Sequence, residues 1–176
     1  MDRLYRSVIG GRPGRHILVH MLVLAIDPGY GRCGVAVLSK EGGKENLIYS
    51  SCIETSSKTP FPERLSAVVA ECERVMKKHK PDAIALEKLY FSTNQKTAMQ
   101  VAEVRGAIIG MAGGAGMAVS EYTPMQVKAA LGYGRADKKQ VARMLHMLVK
   151  IEKIIKHDDE YDAIAVGVTH LAHVRG

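Results

Sequence analysis

The apolar positions of this chain fall into runs whose lengths and spacings predict an alternation of strands and helices. Leu22–Ile26 is a continuous apolar run of strand length, and Pro28, Gly29 and Gly31 then make a turn. Gly34–Leu38 reads as a second strand, Lys40–Lys44 as a polar hairpin loop and Leu47–Thr55 as a third strand. Pro62 opens a helix in which Leu65, Val68, Val69, Cys72, Val75 and Met76 recur at i, i+3, i+4, i+7, so one face packs on a sheet. Lys77, Lys78 and Lys80 close it, where cations suit the helix dipole, and Pro81 stops it. Ala83–Leu86 is a short buried strand. A helix follows from near Asn94 to about Met111, ended by the glycines of Gly110–Gly116, and Met117–Tyr122 is a fifth strand. Thr123 caps a helix with Pro124 at its first position, reaching about Leu131. Asp137 or a neighbour starts the next, with Val141, Met144, Leu145 and Leu148 on one face. The polar stretch Lys150–Asp158 is a linker or frayed end, and a final helix runs from about Glu160 to His173.

Three strands joined by short turns, then strand–helix–strand–helix, is a mixed α/β order. It matches the ribonuclease H-like arrangement: a five-stranded mixed sheet, three antiparallel strands followed by parallel ones, flanked by helices. Residues 21–176 are long enough for one such domain. Residues 1–20 differ from the rest. They hold Arg3, Arg6, Arg12 and Arg15 against Asp2 alone, and we expect an appended or disordered segment. They also carry +3 of the formal net charge of +7, so the remaining chain is only mildly basic. That is compatible with a polyanionic partner without requiring one. The three cysteines, with no CxxC spacing, suit a reduced, cytoplasmic protein, and no apolar stretch approaches the roughly 20 residues of a membrane span.

Four acids carry the candidate chemistry. Asp27 and Glu87 each end an apolar strand, and Asp159 and Asp162 open the apolar C-terminal helix, three residues apart on one face. Carboxylates beside buried segments are costly to desolvate without partners. Converging, they would repel unless cations sat between them, and carboxylates are ligands that Mg²⁺ prefers. A metal-dependent nuclease is therefore the leading reading. The bland readings are a turn-forming Asp27, a strand-end Glu87 and N-terminal acids favouring a helix dipole. Gly29-Tyr30-Gly31-Arg32-Cys33-Gly34 fits a dinucleotide-binding G-x-G-x-x-G pattern, but a strand rather than a helix follows, so it reads as a tight turn. Lys128 and Lys138 are either solvated charges or phosphate contacts. Tyr90 and Phe91 are either a core pair or rings that stack on unpaired bases. His170 and His173 read as structural.

Taken together, these residues resemble the RuvC family of Holliday-junction resolvases. The matching segments are Ala25–Gly29, Ile84–Glu87, Gln126–Lys128, Gly132–Val141 and Asp159–His170, in the family's order. The resemblance implies a homodimer and Mg²⁺-dependent nicking of opposed strands at a four-way DNA junction, during recombination and repair. Two Mg²⁺ ions would be held per site, with Mn²⁺ able to substitute. Its acidic tetrad falls on Asp27, Glu87, Asp159 and Asp162, with Asp27 between the two ions. Its DNA-contacting positions fall on Lys128 and Lys138, and its junction-centre aromatic on Tyr90, with Phe91 adjacent. A branch-migration complex of the RuvA/RuvB type is a further compatible partner. Two alternatives stand beside it: a YqgF-type nuclease and a non-catalytic junction-binding protein on the same fold. The long helical insertion bearing Lys128 and Lys138 favours the first reading over the YqgF type, and the complete set of acids disfavours the non-catalytic one.

Overall fold

Strand β1 (Met21–Asp27) lies at the centre of the sheet because its side chains are wanted on both faces. Val23 and Ala25 point to one helical layer, Leu24 and Ile26 to the other, and all four are fully buried. Burial on both faces explains why the segment reads as a continuous apolar run instead of an alternation. The computed structural model describes residues 21–88, 95–132 and 137–174, without the side chains of Gln95 and Lys96. The N-terminal segment 1–20 and the pair Tyr90 and Phe91 lie outside the described residues.

Strand β2 (Arg32–Glu41) runs antiparallel to β1, and β3 (Lys44–Glu54) antiparallel to β2. The expected hairpin loop shrinks to Gly42 and Gly43. Both have positive φ (58° and 81°), the conformation that lets a two-residue turn follow the sheet's twist. Strands β4 (Ala83–Glu87) and β5 (Ala118–Tyr122) add parallel, giving the order β3-β2-β1-β4-β5. This is the ribonuclease H-like sheet expected from the sequence.

Helices α1 (Phe61–His79) and α2 (Gln95–Gly114) cover one face, packing Val68, Cys72, Val75, Val104 and Ile108 on Leu24, Ile26 and Ile84. Helix α2 continues one turn past the expected stop. Its glycines Gly110, Gly113 and Gly114 would meet nothing if given a Cβ, so nothing but propensity opposes the helix there. Helices α3 (Pro124–Ala130), α4 (Lys138–Leu148) and α5 (Asp158–His173) cover the other face. Helix α5 packs unusually close to the sheet: a Cβ on Gly167 would fall 2.2 Å from Leu38 Cδ1 and 3.2 Å from Ala25 Cβ. His170, in its last turn, is buried and bonded to the Tyr122 hydroxyl (3.0 Å), a structural role as expected.

Helix α5 begins at Asp158, two residues earlier than the sequence suggests. Glu160, one of the acids in the first turn of α5, is buried and ion-paired to Lys153 at 2.5 Å. Lys153 also donates to the Ser50 carbonyl, tying the linker before α5 onto β3. The three cysteines are free.

Candidate active site

The site forms at one rim of the sheet, where β1 and β4 end, β2 begins and α5 starts. In the parallel pair β1–β4, Ile26 stands opposite Leu86, so Asp27 and Glu87 leave their strands at the same level. Side-chain alternation sends both toward the α5 face, along with Val23, Ala25 and Ala85. Gly34 on β2 stands opposite Asp27. A Cβ there would fall 1.7 Å from the Asp159 carbonyl oxygen and 3.1 Å from Ala163 Cβ. The glycine of the G-x-G-x-x-G pattern therefore serves close helix–sheet approach, and it lets the first turns of α5 press down beside Asp27. Gly29 has a second, separate duty: a Cβ on it would strike the Arg32 carbonyl oxygen at 2.0 Å, so it permits the tight turn after Asp27.

The resulting acids destabilise one another's charge. Burial first, then the charges of Glu87 and Asp162, hold the Asp27 carboxyl well above the usual carboxylate range. Asp27 and Glu87 are close enough to act on each other directly, and the interaction raises Asp27 while lowering Glu87. Glu87 is raised overall, by burial and then by Asp162, while its interaction with Asp27 and nearby Lys128 oppose the shift. Burial raises Asp162 too, with Lys138 the largest opposing influence. Asp159 stands apart: its carboxylate is paired to Arg32 Nε at 3.0 Å, and it adds the weakest of the influences on Asp27. Among the described residues no three acidic, cysteine or histidine side chains are drawn together closely enough to enclose a cation. Of the four expected acids, Glu87 and Asp162 bear on Asp27 most strongly, while the carboxylate of Asp159 is held by Arg32. The donor chemistry nevertheless fits a divalent ion. It consists of hard oxygen ligands whose mutual repulsion is opposed by Lys128 and Lys138, an influence a cation would strengthen.

Two capped helices seat the lysines. Thr123 accepts from the Gln126 N–H (3.2 Å) while Gln126 Oε1 accepts from the Thr123 N–H (2.8 Å), starting α3 and presenting Lys128 near Glu87 and Asp162. Asp137 and Gln140 form the same reciprocal box at 2.8 Å each, placing Lys138 first in α4. Lys138 is exposed and hydrogen-bonded to Asp158 at 3.0 Å, which raises its pKa and leaves it fully charged. A cleft of about 370 Å³ opens between them, lined by Lys128, Lys138, Lys139, Asp158, Tyr161 and Asp162. Sequence reasoning misses Arg32 and the His157–Glu54 pair (3.1 Å) beside it. No local signal marks either, since both pairings join residues more than a hundred positions apart.

Comparison with known proteins agrees with this geometry. The family model for crossover junction endodeoxyribonuclease RuvC matches residues 23–170. The RuvC protein of Petrotoga mobilis is 44% identical over 151 residues, which cover 85% of this chain and 93% of that protein. That of Alkaliphilus metalliredigens is 42% identical over the same length, covering 92% of that protein. The structure of T. thermophilus RuvC in complex with Holliday junction substrate superposes with a TM-score of 0.82 at 33% identity, covering 88% of this chain and 94% of that one. A yeast mitochondrial Holliday junction resolvase, at 12% identity and a TM-score of 0.64, shares the fold. An acid-lined rim flanked by lysines, on a chain matched over most of its length, leads to one conclusion: this protein belongs to the RuvC family of crossover junction endodeoxyribonucleases.

Proposed function

We propose that this chain resolves four-way DNA junctions by paired nicks, hydrolysing one phosphodiester in each of two opposed strands. The observation that carries the reading is the meeting of Asp27 and Glu87, level at the ends of paired strands, with Asp162, which lines a cleft together with Lys128 and Lys138. Asp27, Glu87 and Asp162, joined by Asp159, would hold two Mg²⁺ ions. Such ions supply charge stabilisation and an ionised water at neutral pH. The chain's own contribution is placement. Strands β1 and β4 hold Asp27 and Glu87 at one level, and the first turns of α5 bring Asp162 over them. Lys128 and Lys138 neutralise backbone phosphates and set the strand across the rim. Asp159, released from Arg32, completes the ligand group. Tyr90, or Phe91 beside it, would stack on bases unpaired at the crossover.

Paired nicks need two sites, and a two-fold homodimer matches the symmetry of the junction. Helix α2 supports it only in part. By sequence, Val101, Ala102, Ile108 and Ile109 exceed what a single sheet-facing stripe requires. Ile108 is fully buried, however, and Ile109 packs against the same cluster, leaving Met99, Ala102, Glu103, Gly106 and Gly110 exposed.

The test is strand cleavage of a synthetic four-way junction with and without Mg²⁺, beside a linear duplex of the same sequence. Symmetric, Mg²⁺-dependent nicks confined to the junction are expected. Asp27→Asn and Asp162→Asn should abolish them while junction binding persists, because affinity comes mostly from phosphate contacts. Near-normal nicking by either purified variant would refute the assignment.

A further inference from the structure

Among the described arginines, Arg32, Arg74 and Arg105 are each engaged by a carboxylate, whereas Arg64 and Arg143 are not. Arg64, in the first turns of α1, has no acidic partner among the described residues, yet its guanidinium is held firmly. Its Nε donates to Thr55 Oγ1 at 2.9 Å, and its Cζ lies 4.6 Å from the centroid of the Tyr30 ring. Tyr30 is braced edge-on by Phe61, with centroids 5.8 Å apart at 74°. The Thr55 hydroxyl donates to the Tyr30 carbonyl, and the Thr55 N–H donates to the Gly31 carbonyl at 2.9 Å. The turn after Asp27, the end of β3 and the start of α1 are thereby locked around one cation. Its two Nη groups bond to nothing among the described residues, and Nη2 faces Gly31, where a Cβ would fall 3.3 Å away. The fork is oriented and unspent.

Its position supplies the purpose. Tyr30 and Gly31 follow Asp27 by three and four residues, so this cation stands on the same rim as the acids. It stands on the α1 side of the sheet, whereas Lys128 and Lys138 stand on the α5 side. The acid group is flanked by cations on both sides. A polyanionic strand that crosses the rim to reach Asp27 must pass both. A planar guanidinium already fixed by stacking and one hydrogen bond suits a phosphate's paired oxygens, with little freedom left to lose on binding.

We propose that Arg64 is a backbone-phosphate anchor that seats the DNA strand across the acidic rim from the side opposite Lys128 and Lys138; this rests on the junction-nicking reading above. The experiment measures affinity for a labelled four-way junction in EDTA, between 50 and 200 mM salt, together with thermal midpoints. The variants are Arg64→Gln, Arg64→Met and Thr55→Val. One lost phosphate contact on a duplex arm lowers the slope of log affinity against log salt by roughly 0.9. Both Arg64 variants should show that loss, and either one that folds suffices. Thr55→Val breaks the Nε tie but keeps the charge, so its slope should stay at the wild-type value. An unchanged slope in the Arg64 variants, with or without a lower melting point, overturns the proposal. So does an equal loss in Thr55→Val, which would assign the effect to loop order. A wild-type chain that nicks junctions while Arg64→Gln keeps its slope defeats this inference alone. A wild-type chain that neither binds nor nicks them defeats the parent reading as well.

Discussion

Gly34→Ala tests whether the site depends on how closely α5 approaches the sheet. The added Cβ would sit 1.7 Å from the Asp159 carbonyl oxygen and 2.6 Å from its carbonyl carbon. Both obstacles are backbone, so no side chain can swing aside. Real Cβ contacts do not fall below 3.0 Å, so α5 and β2 must part by about 1.3 Å. Strain of this kind in a packed interior costs about 1–3 kcal/mol, or roughly 2–4 °C of melting temperature per kcal/mol in a domain of this size. The larger effect should be catalytic. The same displacement carries Asp159 and Asp162 away from Asp27, and a misplacement of about 1 Å costs on the order of 100-fold in rate. Gly167→Ala is the control. Its Cβ would meet a movable Leu38 methyl at 2.2 Å, further along the same helix. It should lose similar stability while keeping its nicking rate per folded molecule within a few-fold. The assay is single-turnover nicking of a four-way junction at saturating Mg²⁺, normalised to the folded fraction from a urea melt. A Gly34→Ala protein that nicks within threefold of wild type would refute the reasoning, as would a Gly167→Ala protein equally impaired.

Lys128→Ala and Lys138→Ala should each reduce the salt dependence of junction binding by roughly 0.9 in slope; unchanged slopes together with unchanged cleavage would make them solvated surface charges. The Glu160–Lys153 pair should respond asymmetrically, because Glu160 is buried and Lys153 half-exposed. Lys153→Met strands a buried carboxylate and should cost up to about 3 kcal/mol. Glu160→Gln lets the lysine rehydrate and should cost about 1 kcal/mol, and equal losses in urea melts would contradict this account. His170 has its pKa lowered by burial and then by neighbouring His173. Its folded-state pKa lies below the unfolded value, so the neutral ring's stability is complete above about pH 6.5 and declines as pH falls toward the folded value. His170→Asn should therefore flatten the loss of stability between pH 7.5 and 5 relative to wild type. Parallel curves would disprove it.

Local pattern alone determined the order and type of every element among the described residues. The apolar runs, Pro62, Pro81 and Pro124, and the capping pairs at Thr123 and Asp137 each act within a few residues, where sequence and structure carry the same information. The candidate acids were equally visible in one dimension, because a carboxylate at the edge of a buried strand is conspicuous. What remained hidden depended on groups far apart in the chain. The starting point of α5 rests on Glu160 finding Lys153 and on Gly34 admitting the Asp159 backbone, neither of which leaves a periodic trace. Ile108 looked like surplus apolar surface until the sheet and α1 were placed around α2. Asp159 differed from Asp162 in sequence only by lying nearer the helix start; that Arg32, at the start of β2, holds its carboxylate emerged only on folding. Arg64 gave no signal, because a single arginine on the polar side of an amphipathic helix is ordinary until folding sets it over Tyr30. Propensity and burial choose elements residue by residue, but close approach and charge pairing are decided only when the layers meet.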